Sequence, residues 1–413
     1  MQLSKDIKYF TLGVFFFFFL YSNTRENIVL IGPVYPYKGG ISHYTGLMCR
    51  ALGRDYNVTM VSYKFQYPRL LYRKEQKDYS NDRFRIDGTR YLIHTANPLN
   101  WLHVAKKIRA MSPAMVIIQW WHPYFAPCYY MLCKCLKNTK ILFVCHNVFP
   151  HERFPLDRAL TKAVLRQGSC YIVQSKTDAA DLRTIIKNPV FRQTVHPTYN
   201  AFRIENVSKT EAHARLNISA DEKVLLFFGF VREYKGLNYL IQAMSAVIQR
   251  IADIRLLIVG DFAGEESKRQ YEDMIAQTGS GDHITIYDGY IPDREVEKFF
   301  AACDLVVLPY ISATQSGIAQ IAYGFEKPVV ATNVGGLPDV VADGRTGYIV
   351  ESENVDAIAD AVVDFFEHDR AVEFAENVKE EAYRFSWDRM VEIVEEMLAE
   401  RNMEMRQSLD RQT

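Results

Sequence analysis

Short runs of apolar residues recur along the chain, each closed by Gly, Pro or polar residues. Asn27-Ile-Val-Leu-Ile-Gly32 is the first, and Val58 to Ser62, Met115 to Gln119, Ile141 to Cys145 and Tyr171 to Gln174 follow it. Runs without apolar–polar alternation suit parallel strands, which are buried on both faces. Stretches of helical spacing separate several of them, beginning with Ile41 to Leu52. This alternation predicts a doubly wound α/β sheet. A second series opens at Val224-Leu-Leu-Phe-Phe-Gly229 and continues through Arg255 to Gly260, Leu305 to Leu308, Val329 to Ala331 and Gly347 to Val350, with His283 to Ile291 between them carrying Tyr287-Asp-Gly-Tyr-Ile-Pro292. Glu211 to Glu222, before it, reads as a charged surface stretch. Helices are predicted over 355–367 and 371–385, then a long one led by Ser386-Trp387, with a loose tail after Arg401. A chain of 413 residues accommodates two domains of ordinary size.

Polar residues gather at the predicted strand ends, where ligands bind in such sheets. Pro33 to Gly40 is a glycine-bearing loop, but it lacks the full G-x-G-x-x-G, so a dinucleotide is not indicated. The alternative for Gly39 and Gly40 is a tight turn. His122 closes Gln119-Trp-Trp-His, and His146 opens His146-Asn-Val-Phe-Pro-His151-Glu152. They are the polar candidates of this half, the alternative for His122 being a ring satisfied beside Trp side chains. Arg232 and Lys235 directly follow a strand. Arg offers phosphate a planar fork and Lys a mobile point charge. After Leu308, Pro309 ends a strand, and Thr314 to Gly317 can cap a helix carrying Ile318, Ile321, Ala322 and Phe325. Strand followed by capped helix N-terminus is a ready anion site. The alternative is an ordinary capped α/β unit.

Charge changes the picture more than bulk composition does. Formal net charge is zero, with 49 Lys/Arg against 49 Asp/Glu. Residues 1–200 hold 28 of the basic residues and 11 of the acids, a balance of +17; residues 201–413 hold the remaining 21 and 38, a balance of −17. A basic half suits an anionic partner: a membrane surface, nucleic acid or a phosphorylated substrate. Lys64, Arg69, Arg73, Lys74 and Lys77, then Lys106, Lys107 and Arg109, form clusters interleaved with Tyr67, Tyr72 and Trp101. The seven Cys show no metal spacing and no disulfide framework, which suggests reduced thiols. The apolar run Tyr9 to Tyr21 lacks a small-residue cleavage site and is shorter than the ~20 residues of a spanning helix. An interfacial anchor is one reading of it, and sequence upstream of the true start is another.

In order, the Gly39-Gly40 loop, the Arg232/Lys235 pair, Pro309-Tyr310 with its Ser/Gly-rich helix start, and Lys327-Pro-Val-Val-Ala-Thr-Asn-Val-Gly-Gly-Leu-Pro-Asp339 resemble the family-four retaining glycosyltransferases of the GT-B fold (glycosyl transferases group 1). The resemblance runs over about residues 27–400. It implies two Rossmann-like, doubly wound domains facing a cleft. Residues 27–200 would be the acceptor side, 201–385 the donor-binding domain, and 386–413 a crossing helix and tail, after an apolar segment 1–26. Gly39 and Gly40 would face the donor diphosphate, which Arg232 and Lys235 would grip. The backbone at Tyr290 and Ile291 would edge the base. Gln315, Ser316, Gly317 and Gln320 would line the donor, and His122 would position its sugar. His122, Arg232 and Lys235 are thus the expected catalytic set.

One departure stands out. The family usually carries two Glu eight positions apart before and within this helix, and neither alignment supplies an acid: Ala313 and Ile321, or Thr314 and Ala322, occupy the places. No Asp-x-Asp is present either, so no metal and no cofactor beyond the nucleotide sugar are expected. The expected activity is transfer of a hexosyl unit, with retention, from a nucleotide sugar to a lipid-linked or surface glycan. The expected setting is cytoplasmic, peripheral at the inner face of the cell membrane, with an anionic membrane surface as partner and no nucleic acid. A nucleotide-sugar epimerase and a non-catalytic nucleotide-sugar-binding scaffold of the same fold are the alternatives.

Overall fold

The computed structural model describes residues 25–71, 75–79, 82–150, 154–199 and 202–410, with backbone alone at 83 and 400–410. The apolar run 9–21, Tyr72, Arg73, Lys74, His151 and Glu152 lie outside the described residues.

The first domain runs β1 (Asn27–Ile31), α1 (Gly40–Leu52), β2 (Asn57–Phe65), β3 (Arg90–His94), α2 (Pro98–Ala110), β4 (Met115–Trp120), α3 (Ala126–Cys135), β5 (Lys140–Cys145), α4 (Asp157–Leu165), β6 (Cys170–Val173), α5 (Lys176–Ile185) and β7 (Phe191–Gln193). Its seven strands pair in parallel in the order β3-β2-β1-β4-β5-β6-β7. β4 and β5 are buried at every residue, which is why they read as unbroken apolar runs. β3 and β7 are edge strands with exposed or half-buried residues, and neither was legible as a run.

The second domain begins with α6 (Lys209–Leu216), capped by Ser208, whose hydroxyl accepts from the Glu211 N–H at 3.3 Å. Sequence alone offered only a charged surface here. A buried His213, sharing hydrogen bonds with the carbonyls of Ser219 (2.8 Å) and Ala302 (3.1 Å), anchors the helix. The domain continues with β8 (Lys223–Phe228), α7 (Leu237–Arg250), β9 (Ile254–Gly260), α8 (Glu265–Thr278), β10 (Ile284–Asp288), α9 (Asp293–Ala302), β11 (Leu305–Leu308), α10 (Gly317–Gly324), β12 (Val329–Thr332), β13 (Gly347–Val350), α11 (Val355–Glu367) and α12 (Ala371–Glu380). Its six strands are parallel in the order β10-β9-β8-β11-β12-β13.

The last helix, α13 (Trp387–Asp410), returns to the first domain. The Trp387 ring meets Tyr44 of α1 edge-on at 5.0 Å, and its Nε1 donates to the Thr198 carbonyl at 3.1 Å. Arg54 pairs with Asp388, and the Lys140 ammonium donates to the Met397 carbonyl. The helix continues past Arg401, where a loose tail was expected, because 402–410 contain no Gly or Pro to stop it.

Both sheets reverse their strand order once, between β1 and β4 in the first and between β8 and β11 in the second. Crevices beyond the carboxyl ends of strands at such points are where these folds bind ligands. The loops at the two points are the glycine loop and the Trp121-His122 turn on one side, and Gly229–Gly236 and Pro309–Ser316 on the other.

Candidate active site

Two helix N-termini meet across the crevice. α1 starts at Gly40, after Gly39, and α10 starts at Gly317, after Ser316. Tyr199, from the connection between the domains, lies between them. Its hydroxyl donates to the Gly40 carbonyl at 3.0 Å. A β-carbon placed on Gly40 or on Gly317 would lie 3.6 Å from the Tyr199 ring or hydroxyl. Each helix directs its first N–H groups and the positive end of its dipole to this point.

Lys235 joins them from the β8 loop. It is 8% exposed, and its ammonium donates to the Tyr310 hydroxyl at 3.1 Å. That hydroxyl is 3.3 Å from the Ser316 hydroxyl, which accepts from the Ala319 N–H at 3.4 Å and so caps α10. A fixed cation and a capped N-terminus thus share one hydrogen-bonded chain. Gly236 permits this approach: it has φ 61°, and a β-carbon there would sit 1.9 Å from the Pro309 carbonyl oxygen. Only glycine lets the β8 and β11 loops close together. Arg232 is half-buried, with its guanidinium 5.9 Å from the Phe230 ring and Nη1 donating to the Val231 carbonyl at 3.4 Å.

The two amide side chains of the α10 turn behave differently. Gln315 donates from Nε2 to the His146 carbonyl at 2.7 Å, crossing between domains, while its Oε1 is buried without a partner among the described residues. Gln320 is fully buried, and neither amide atom has a partner among them. Thr314 bonds Asn147, and Lys176 pairs with Asp339 at 2.7 Å, so the crevice is closed by direct contacts around its inner rim.

His122 is not brought to this cluster by any described contact. It caps a short 3-10 helix, its Nδ1 accepting from the Tyr124 N–H at 3.1 Å, and its ring stacks on Phe154 at 5.8 Å. Burial lowers its pKa, so it is neutral at pH 7. His146 lies beneath the crevice instead, buried and hydrogen-bonded through Nε2 to Gln119 Oε1 at 2.7 Å. Burial and then His196 hold its pKa well below the usual range. Burial lowers His196 to about 4. Tyr290 is exposed under the Lys38 ammonium, 4.6 Å from its ring centroid, and half-buried Ile291 packs on the core beside it. A contact of 2.9 Å between His43 Nε2 and Asp293 Oδ2 ties the domains behind them.

A cavity of about 170 Å³ opens beside the glycine loop, lined by Lys38, Gly39, Gly40, Gln66, Tyr67 and Trp121 among others. A larger one of about 710 Å³ lies around Arg50, Tyr323 and Trp387, at the crossing helix and away from both switch points. Sequence reasoning missed Tyr199 and Tyr310 as site residues. Tyr310 had a signal, its place directly after a buried strand; Tyr199 had only its place in His196-Pro-Thr-Tyr-Asn200, which resembles the family's hinge, since its role depends on where the two domains meet. Among the described residues no group of three His, Cys, Asp or Glu side chains is placed to hold a metal ion.

Comparison with known proteins places these features. Residues 208–385 match the family described as Glycosyl transferases group 1. The D-inositol 3-phosphate glycosyltransferase of Mycobacteroides abscessus is 30% identical over 227 residues, covering 54% of this chain and 50% of that protein. The chain therefore spans about half the length of the relatives it matches. Among solved structures, the sucrose-phosphate synthase of Thermosynechococcus elongatus superposes with a TM-score of 0.66 at 21% identity, covering 94% of this chain and 100% of that one. Anabaena Alr3699/HepE in complex with UDP gives a TM-score of 0.69 at 16% identity, covering 91% and 100%. The same protein has also been solved with UDP-glucose. The fold is GT-B, and residues 208–385 are similar to the group-1 glycosyltransferases.

Proposed function

We propose that this chain, with a group-1 glycosyltransferase sequence in its second domain, is a retaining, metal-independent hexosyltransferase. It moves a sugar from a nucleotide-sugar donor to a lipid-linked or surface glycan at the inner face of the cell membrane. The carrying observation is the convergence of Lys235, Tyr310 and the capped start of α10 opposite the glycine loop, with Tyr199 between. Glycosyl transfer breaks the bond from the anomeric carbon to the diphosphate through an oxocarbenium-like transition state. Negative charge grows on the departing diphosphate. Lys235, Arg232 and the amides of Ser316 and Gly317 are the groups assigned to receive it, as preorganised donors do at other developing anions. Gly39 and Gly40 bring a second helix start to the same charge. Gln315 and Gln320 are the side chains assigned to the donor's hydroxyls, and Tyr290 and Ile291 are assigned to the edge of the base. His122, neutral at pH 7, would turn towards the donor sugar only on its arrival.

The test is a thermal-shift screen of nucleotide sugars, since a ligand bound only by the folded state raises its stability by mass action. Transfer to an added glycan is then followed directly. Isomerisation of the donor without acceptor would mark an epimerase instead. One observation favours a second reading, a non-catalytic nucleotide-sugar binder: neither alignment places a carboxylate at the helix, and the buried Gln320 amide has no partner among the described residues. Calorimetric donor binding without turnover over a broad acceptor panel would support it.

A further inference from the structure

We propose that the outer face of α2 and α3 is a docking surface for an anionic lipid bilayer, which deepens the reading above by saying where the acceptor is met. From Gly88 to His151 the sequence contains no Asp or Glu. α2 turns Trp101, Val104, Ala105 and Ile108 into the core. Its opposite side presents Leu99, 79% exposed, and Leu102, 48% exposed, then Lys106, Lys107 and Arg109. α3 packs alongside and adds exposed Tyr130 and Lys134, followed by Lys137. The core under this face draws on first-domain residues alone, whereas the core under α1 runs on into α13 and the second domain. The basic face therefore looks away from the second domain.

Exposed leucines among unopposed cations suit a bilayer interface, where apolar side chains insert and cations meet lipid phosphates. A nucleic-acid groove would reward the cations but not the leucines. Trp101, expected among the interfacial aromatics, is 8% exposed and donates from Nε1 to the His94 carbonyl at 2.9 Å, so it is unavailable. Leu99 and Leu102 take its place. The neighbouring loop after β2 continues the rim with Leu70, 83% exposed, and Leu71, 61% exposed. Thr95, just before α2, holds that loop by donating to the Gln66 carbonyl at 2.6 Å. Gln66 and Tyr67 of the same loop line the cavity at the glycine loop. A lipid-linked acceptor in the docked bilayer thus has a short path to the site.

The test is co-sedimentation of the full chain with vesicles of phosphatidylcholine alone and mixed with phosphatidylglycerol. Stronger partition onto the mixed vesicles is expected at low salt, and its loss at about 1 M salt, where the Debye length falls to ~3 Å. Lys106→Glu/Lys107→Glu/Arg109→Glu should cut that difference by about a hundred-fold. Leu99→Gln/Leu102→Gln should weaken partition at both salt levels. The run 9–21 is the same in every variant, so changes between variants report on α2. Equal partition of the wild type onto both vesicle types would overturn the proposal, as would a difference that survives the triple reversal. Binding to a DNA duplex without any vesicle preference would assign the face to nucleic acid and overturn it too. The thermal shift given by donor should survive in these variants. If no nucleotide sugar shifts even the wild type, the transfer reading fails while the vesicle result stands or falls separately.

Discussion

Lys235 is the residue on which most of the site geometry turns. Its ammonium is buried beside Tyr310 and bonds no carboxylate among the described residues, an arrangement that leaves its charge available to an incoming anion. Lys235→Ala and Arg232→Ala are each expected to weaken donor binding by about 1.5–3 kcal/mol, the usual worth of a charged hydrogen bond. Isothermal calorimetry on folded variants checks this, and unchanged affinity in both would refute the assignment. A second expectation concerns His146 and His196. Their depressed pKa values mean that the unfolded chain takes up protons below about pH 6.5 that the folded chain refuses, His196 until about pH 4 and His146 through a pKa likewise held well below the usual range by burial. Stability is then fully present above pH 6.5 and falls as pH drops through that window. Burial raises the Asp178 carboxyl from 3.8 to about 6, which acts in the opposite direction and offsets one of the two histidines. A net loss of about 2 kcal/mol from pH 7 to pH 5 is expected. Urea midpoints measure it, and His196→Gln should flatten the dependence.

At the scale of elements, central strands and their following helices were readable because complete burial writes an unbroken apolar run. Edge strands β3 and β7 were not, since half-burial mixes polar residues in. The start of α10 was expected over Thr314 to Gly317, and Ser316 proves to be the cap. What periodicity could not supply is that the β8 and β11 loops touch at Gly236. Gly236→Ala combines a left-handed backbone with a collision against the Pro309 carbonyl, and should cost at least about 2 kcal/mol and abolish donor binding. Gly279→Ala, at φ 69° with open space around the added carbon, should cost about 1 kcal/mol and leave donor binding intact. Thermal unfolding and the donor shift separate the two; equal losses would mean that the Pro309 contact does not matter.

For the whole molecule, the two switch points face each other, and the positive charge proposed for the leaving diphosphate comes from side chains and helix starts. Turnover is therefore expected to persist in EDTA. A requirement for added Mn²⁺ or Mg²⁺, abolished by chelation, would count against the mechanism. Sequence by itself determined the two parallel sheets, the long last helix, the residues at the strand ends and the charge asymmetry. These follow from burial patterns and residue chemistry that are local to each segment. Tertiary structure alone decided that Tyr199 lies between Gly40 and Gly317, that His146 rather than His122 sits beneath the crevice, and that Trp101 is buried while Leu99 faces out. Each of these depends on contacts between segments far apart in the chain. A local apolar pattern specifies that a side chain is buried or exposed on its own element, but not which distant surface it meets.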